Sequence, residues 1–324
     1  MLPLAAGDSG TAVSDLRGRL ALLGLATVED PPGTFGLATR AAVEAFQHRR
    51  GLRVDGICGP QTWHILVEAG FLVGDRVLSR RSPMLRGDDV AEVQRRLGAL
   101  GFDTGRVDGI FGDLTAGAVA EFQRNAGLAV DGVAGRRTLD ELWRMEARDE
   151  QTELISMVRA REELRRIPPT LAGRHVAVGE PGGLGIALAA LRRRLGPAGV
   201  RFTALHHPDG SAQARQANAA GADVYLGLRV EPHLAGCSTA YYAGYRTESP
   251  GGRRLAELVQ DTVPAALAIP DRGVHGMSVP LLRETRMPAV IVEVGPAAVM
   301  VERGPSLADS LAAALQAWVG AVWE

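Results

Sequence analysis

The sequence has no lysine: all 36 of its basic residues are arginine, set against 37 aspartates and glutamates. With a formal charge of −1, nothing in the overall balance favours nucleic acid or an anionic membrane as partner. The lysine deficit, together with abundant Ala and Gly, is the coding bias of a GC-rich genome. It also means that any anion-binding position carries a planar, permanently charged guanidinium. Cysteine is almost absent too. Cys58 and Cys237 stand far apart, which excludes a disulfide framework and a cysteine-based metal knuckle, and both are expected to be small buried or half-buried residues. No apolar run approaches the roughly 18 residues of a membrane-spanning helix. Met1 to Asp8 lacks the basic n-region and the long apolar h-region of an export signal, so the expected location is cytoplasmic. What is present is a globular composition, 46% hydrophobic and 23% charged over 324 residues, enough for two or three separate cores.

An internal repeat organises the first half. Phe35-Gly36 recurs as Phe111-Gly112, Thr39 as Thr115, Phe46-Gln47 as Phe122-Gln123, Asp55-Gly56 as Asp131-Gly132, Gly59 as Gly135 and Thr62 as Thr138, each at an offset of 76. Upstream, Val13, Leu16, Leu20 and Gly24 match Val90, Val93, Leu97 and Gly101 at an offset of 77, so one residue of length difference falls in the loop between. Apolar positions recur at helical spacing, Asp-Gly pairs mark turns, and Thr62 and Thr138 stand where hydroxyls cap helix starts. Each copy therefore reads as helix, loop, helix, loop, short helix. These landmarks are turn glycines, caps and core aromatics, which specify a fold and not a ligand.

In register, the landmarks resemble the peptidoglycan-binding domain type 1, twice, over residues 1–72 and 78–145. The first copy departs at Asp30-Pro31-Pro32-Gly33, where the second has Val107-Asp108-Gly109, so that loop differs in shape. The resemblance implies a shallow groove able to hold cell-wall peptide or glycan. In a cytoplasmic chain the tandem can equally serve as a protein-docking surface.

Residues 146–170 form a charged linker with a helical stretch, ended by Pro168-Pro169. From 171 to 324 the pattern alternates. Strands are expected at 175–178, 201–205, 224–228 and 289–294, with helices at 186–195 and around 211–221, 251–266 and 306–322. That alternation means an α/β domain with a largely parallel sheet, whose sites form at the carboxyl ends of strands.

This half resembles the zinc-dependent type 3 N-acetylmuramoyl-L-alanine amidases. The landmarks are Pro181-Gly182 after the first strand, Arg215-Gln216-Ala217-Asn218 before Gly221-Ala222-Asp223, the strand ending at Arg229, and Arg286-Met287-Pro288-Ala289 leading into Val292-Glu293-Val294-Gly295. The family holds zinc with His, Glu and His, leaves a coordination position open for water, and uses a separate catalytic Glu. Carried onto this chain, the resemblance puts Gly183 at the first ligand and nothing at the second, since Ile186-Ala187-Leu188-Ala189 offers no carboxylate. Arg229 stands at the third, where a guanidinium opposes a dication, and only Glu293 survives as a vestigial match to the catalytic residue. The expectation is no bound metal, with zinc as the alternative, and an ion pair between Arg229 and Glu293. Glu180, Arg229, Glu231, His275 and Glu293 form the expected residual cleft, His275 lying in a segment similar to the family's substrate-side loop. A rebuilt metal site would draw on His175, the adjacent His206 and His207, His233, Glu180, Glu231 or Glu293, although adjacent histidines on a strand point opposite ways.

Two such repeats, a charged linker and a degenerate amidase domain resemble the actinobacterial CwlM-type group of amidase homologues. That resemblance implies a non-catalytic cytoplasmic regulator of peptidoglycan precursor synthesis. It would act on UDP-N-acetylglucosamine 1-carboxyvinyltransferase, answer to a Ser/Thr kinase, and bind a muropeptide or lipid-linked precursor as a further ligand. The alternative is an active zinc amidase. The sequence stops at Trp323-Glu324 before any threonine-containing tail, so the expectation is either that such a tail was removed or that phosphoregulation uses another site.

Overall fold

The computed structural model describes residues 3–25, 27–145, 155–231, 234–244 and 247–321. The chain divides into two compact units, residues 1–160 with 245–247, and residues 161–244 with 248–324.

In the first unit both repeats fold as expected. The first consists of α1 (Thr11–Leu22), α2 (Leu37–Arg49) and α3 (Pro60–Ala69); the second of α4 (Asp88–Ala99), α5 (Asp113–Asn125) and α6 (Arg136–Arg144). Val13, Leu16 and Leu20 on α1, and Val90, Val93 and Leu97 on α4, line the inner stripe of each helix and are fully buried. Each repeat keeps its own core, around Phe35 and Phe46 in one and Phe111 and Phe122 in the other. Antiparallel bridges, Leu4 with Cys58 and Leu78 with Ala134, tie the start of each copy to the loop before its last helix. Burial pushes the Cys58 thiol up to about 12, which leaves it a small core residue.

The recurring Gln and Asp-Gly landmarks turn out to be one device. Gln123 Nε2 donates to Asp131 Oδ1 (2.7 Å), Val133 O (3.0 Å) and Thr138 Oγ1 (3.0 Å), while Gln123 Oε1 accepts from the amides of Asp131 (3.0 Å) and Gly132 (2.9 Å). Gln47 does the same for Asp55, Gly56, Ile57 and Thr62, and Gln94 reads Asp108, Gly109, Ile110 and Thr115. The expectation that Thr62 and Thr138 cap helices is overturned. Their helices open on Gly59 and Gly135 with no side-chain cap, and the hydroxyls serve the buried glutamines instead. The odd loop of the first copy has its own reader. Arg17, at the position matching Gln94, donates to the carbonyls of Thr27, Asp30, Pro31 and Thr34. A donor-only guanidinium suits a loop that offers carbonyls, as an amide suits one that offers both carbonyl and N–H.

Two ion pairs hold the junction between the repeats. Arg50 at the end of α2 grips Asp88 at the start of α4 through both nitrogens (2.8 and 2.7 Å), and Arg76 holds the buried Asp89 (2.8 and 3.0 Å) while stacking on Phe71. A carboxylate only 1% exposed requires such a partner.

The amide of Val133 and the side chain of Gln123 hold the Asp131 carboxyl below its ordinary value. A depressed folded value means that the contribution is complete above the unfolded carboxylate range and is lost as pH falls through the folded one. Asp131→Asn should therefore flatten the acid limb of the repeat's stability below about pH 4, read by urea unfolding at neutral and acid pH. An unchanged acid limb would show that the turn does not depend on the charge.

After α7 (Ile155–Arg165), which spans the division between the units, the second unit builds a sheet whose elements follow in order: β1 (His175–Glu180), α8 (Gly185–Leu195), β2 (Arg201–His206), α9 (Gly210–Ala220), β3 (Val224–Val230), β4 (Gly236–Tyr242), α10 (Pro250–Leu267), β5 (Asp271–Met277), α11 (Pro280–Glu284), β6 (Ala289–Gly295), α12 (Ala297–Glu302) and α13 (Gly304–Val319). Residues 146–154 of the expected linker lie outside the described residues, and Leu164 of α7 is part of the second unit's core. The six strands run β2-β1-β3-β6-β4-β5, all neighbours parallel except β4 against β6. The four expected strands are present; β4 and β5 are additional.

Strand alternation sorts the sheet into two faces. Val176, Val178, Leu226, Leu228 and Val292 pack against α8, α10 and α13. Ala177, Tyr225, Ala240 and Ile291 pack against α9 and α11. Asp209 and Ser249 cap α9 and α10 by accepting from the amides of Ser211 and Gly252.

Candidate functional site

The parallel strands β1, β3 and β6 end together, at Glu180, Val230 and Gly295. On the α9 and α11 face, the register sets Arg229 beside Glu293 and Glu293 beside Ser238, one row across three strands. Ser238 Oγ donates to Glu293 Oε2 at 3.3 Å. Arg229 is half-buried, and its charge acts on the phenol of Tyr225 on the same face of β3, against the burial that pushes that phenol up. Among the described residues, no ion pair joins Arg229 to Glu293, although their backbones are neighbours.

Glu180 takes another role. It is 2% exposed, and its Oε2 accepts from the amides of Gly182 (2.6 Å) and Leu184 (3.1 Å), while His206 Nδ1 lies 2.5 Å from its Oε1. Burial alone would raise this carboxyl; the His206 hydrogen bond and the Leu184 and Gly182 amides outweigh it and hold it below its ordinary value. Glu180 therefore shapes the loop into α8 and does not join the row. That loop leaves Gly183 at φ 90°, with open space where a side chain would project, and Ile186 in the first turn of α8 is 86% exposed.

Beneath the row, Tyr225 Oη donates to Gln213 Oε1 (2.5 Å), and Gln213 in turn donates to the carbonyls of Glu180 and His207. A side chain at Gly179 would collide with Tyr225 Oη, so glycine there is needed for this close approach.

The remaining candidates are dispersed. His275 lies on the exposed edge strand β5, not in a loop, with Nε2 on the carbonyl of Arg272 (2.9 Å). It is outside the row, because β5 is separated from β6 by β4. His175 opens β1 at the opposite end of the sheet and bonds Thr203 Oγ1 at 2.8 Å. His207 Nδ1 accepts from the Asp209 amide. Glu231 follows β3 directly, its amide donating to Val294 O, and His233 lies outside the described residues. Ser238 was not anticipated, because its strand was not; the alternation of polar and aromatic residues in Gly236–Tyr242 is the signal that could have found it.

Zinc needs three or more His, Cys or carboxylate donors converging on one point. Among the described residues no such group exists, and the carboxyl-end positions hold a glycine, an aliphatic helix turn and an arginine. These residues do not fit a zinc ion.

Tandem helical modules followed by this six-stranded α/β domain define the architecture of a modular cell-wall amidase homologue. Residues 9–66 and 86–142 match a peptidoglycan binding domain family, and residues 190–298 match the N-acetylmuramoyl-L-alanine amidase family. Across 90% of its length the chain is 34% identical to N-acetylmuramoyl-L-alanine amidase CwlM of Mycobacterium tuberculosis, covering 81% of that protein, and it belongs to this CwlM-type amidase family. It is 32% identical to N-acetylmuramoyl-L-alanine amidase CwlL of Bacillus licheniformis over 43% of this chain, which spans 44% of that relative. The amidase Ami1 from Mycobacterium smegmatis superposes on 47% of the chain and 99% of its own, at TM-score 0.41 and 16% identity. No helix among the described residues is long and apolar enough to cross a membrane.

Proposed function

We propose that this chain is a non-catalytic amidase homologue that regulates peptidoglycan precursor synthesis in the cytoplasm through protein contacts, with a peptidoglycan fragment or precursor as a further ligand. The observation that supports this reading is the donor set at the carboxyl ends of β1 and β3, where Gly183 and Arg229 offer a metal ion no ligand. Without a metal to lower the pKa of water, Glu293 has no activated nucleophile to serve. The partner we propose is UDP-N-acetylglucosamine 1-carboxyvinyltransferase, under the control of a Ser/Thr kinase.

The test is elemental analysis of protein purified without a metal-binding tag and then equilibrated with zinc, alongside an assay of muramoyl-amide hydrolysis. The expected result is zinc far below one per chain and no hydrolysis. One tightly held zinc per chain, with turnover, would establish the active amidase instead. Adding the chain to the transferase should change its rate; binding to sacculi without any effect on the transferase would make it a cell-wall adaptor.

A further inference from the structure

β2 is an edge of the sheet: β1 pairs with one side of it, and among the described residues no strand pairs with the other. The amides of Arg201 and His207 donate to the carbonyls of Arg174 and Glu180, which turns the odd-numbered residues of β2 toward β1. Phe202, Ala204 and His206 therefore aim their N–H and C=O groups outward, an open row of donors and acceptors. The strand is also regular. It has neither glycine nor proline, its register with β1 runs unbroken over six residues, and Ala204 is exposed with a side chain too small to cover the row. β5, at the other edge, is blunted instead. Its register shifts against β4, Gly273 takes φ 82°, the Asp271 carboxylate holds the Gly273 amide (2.7 Å), and His275 Nε2 sits on the Arg272 carbonyl (2.9 Å).

Charge narrows what the open edge takes. β2 carries Arg201 and His206 and no carboxylate. Only Gly196 to Val200 separate α8 from β2, so Arg192, in the last turn of α8, lies at the same end of the edge as Arg201. Arg194 leans to α13 and pairs with Asp309 (2.8 Å); Arg192, about 200° round the helix from it, points away from α13, to the side where β2 runs. Arg192 and Arg201 are both exposed, and neither has an ion-pair partner among the described residues. The nearest carboxylates are taken, Glu180 by His206 and two loop amides and Asp209 by the Ser211 amide. A second copy of the chain would present the same Arg201 and His206, and a phosphate chain would leave the outward carbonyls without donors. A peptide strand bearing carboxylates satisfies both the row and the arginines.

We propose that the free edge of β2 takes an extended acidic segment of a partner protein, which joins the sheet as an added strand and sets carboxylates on Arg192 and Arg201. This goes beyond the regulatory reading and stands whether or not the chain binds zinc.

The experiment is amide hydrogen exchange, read by NMR on the full chain, with the acetylated and amidated hexapeptide Glu-Val-Thr-Val-Thr-Glu and with its counterpart bearing Arg for Glu. A carboxylate at each end reaches Arg201 in either strand direction. The acidic peptide should slow exchange at Phe202, Ala204 and His206 and leave Thr203 and Leu205, already paired with β1, unchanged. It should bind about tenfold more tightly than the basic one. Ala204→Pro removes an outward N–H, which an edge strand tolerates, and should weaken binding about tenfold with Thr203 and Leu205 still protected. Arg201→Glu leaves the backbone row intact and should remove most of the preference for the acidic peptide. Millimolar acidic peptide without slowing at the three amides would overturn the proposal, as would equal binding of the two peptides by the unaltered chain. Slowing that grows with protein concentration alone would make the edge a self-interface. Tighter binding of anionic phospholipid vesicles or single-stranded DNA than of the acidic peptide would make it a polyanion surface, and either result overturns the proposal.

Discussion

Gln123→Ala should destabilise the second repeat by about 3 kcal/mol, because truncation leaves buried donors and acceptors without partners as well as a cavity. The side chain is 1% exposed and completes five hydrogen bonds, accepting from two amides of the Asp131-Gly132 turn and donating to three oxygens. No rotation of a neighbour replaces it, since Asp131 already uses its own carboxylate on the Val133 amide. The loss should appear as a lower denaturation midpoint for the first unit and as faster hydrogen exchange at the Asp131 and Gly132 amides. A midpoint change equivalent to less than about 0.5 kcal/mol, the size of a surface substitution, would mean that the turn holds itself.

The same device explains what was legible in the sequence. Register made the repeat visible, because Phe-Gln, Asp-Gly and Thr recur at fixed offsets, and the apolar stripes located each helix. What joins those landmarks is hydrogen bonding between a helix and a later loop, and such pairing has no period. Thr138 therefore looked like a cap when it is a partner of Gln123. Arg17 was unreadable for the same reason: only the folded loop shows four carbonyls converging on one guanidinium.

The α/β half divides along similar lines. β1, β3 and β6 are apolar runs and were recognisable. β4 is buried throughout but spells Gly-Cys-Ser-Thr-Ala-Tyr-Tyr, and β5 begins Asp-Arg-Gly on the exposed edge, so neither carries an apolar signature. At the site, motif order was enough to expect Arg229 beside Glu293, and β6 inserting beside β3 sets their backbones there; whether the two side chains pair is decided by local packing that no motif carries. Glu180 illustrates the opposite case. Its place after the first strand suggested a cleft residue, whereas its carboxylate is occupied by two loop amides and His206.

Trp318→Ala should cost the second unit about 4 kcal/mol, the range for emptying a buried aromatic site. Trp318 is 1% exposed on α13, and its Nε1 donates to Gly251 O (2.9 Å) in the first turn of α10. That contact sits in tight packing: a methyl group on Gly251 would lie 2.8 Å from Leu164 and 2.9 Å from Pro288, so the surrounding chain has little freedom to collapse into the void. Trp318→Phe keeps most of the apolar volume and removes only a second donor from the Gly251 carbonyl, which the α10 ladder already pairs, and should cost roughly 1 kcal/mol. Each unit has its own core, so calorimetry should show the transition of the second unit falling while that of the repeats stays in place. A fall of both transitions together would show that the two units do not unfold independently.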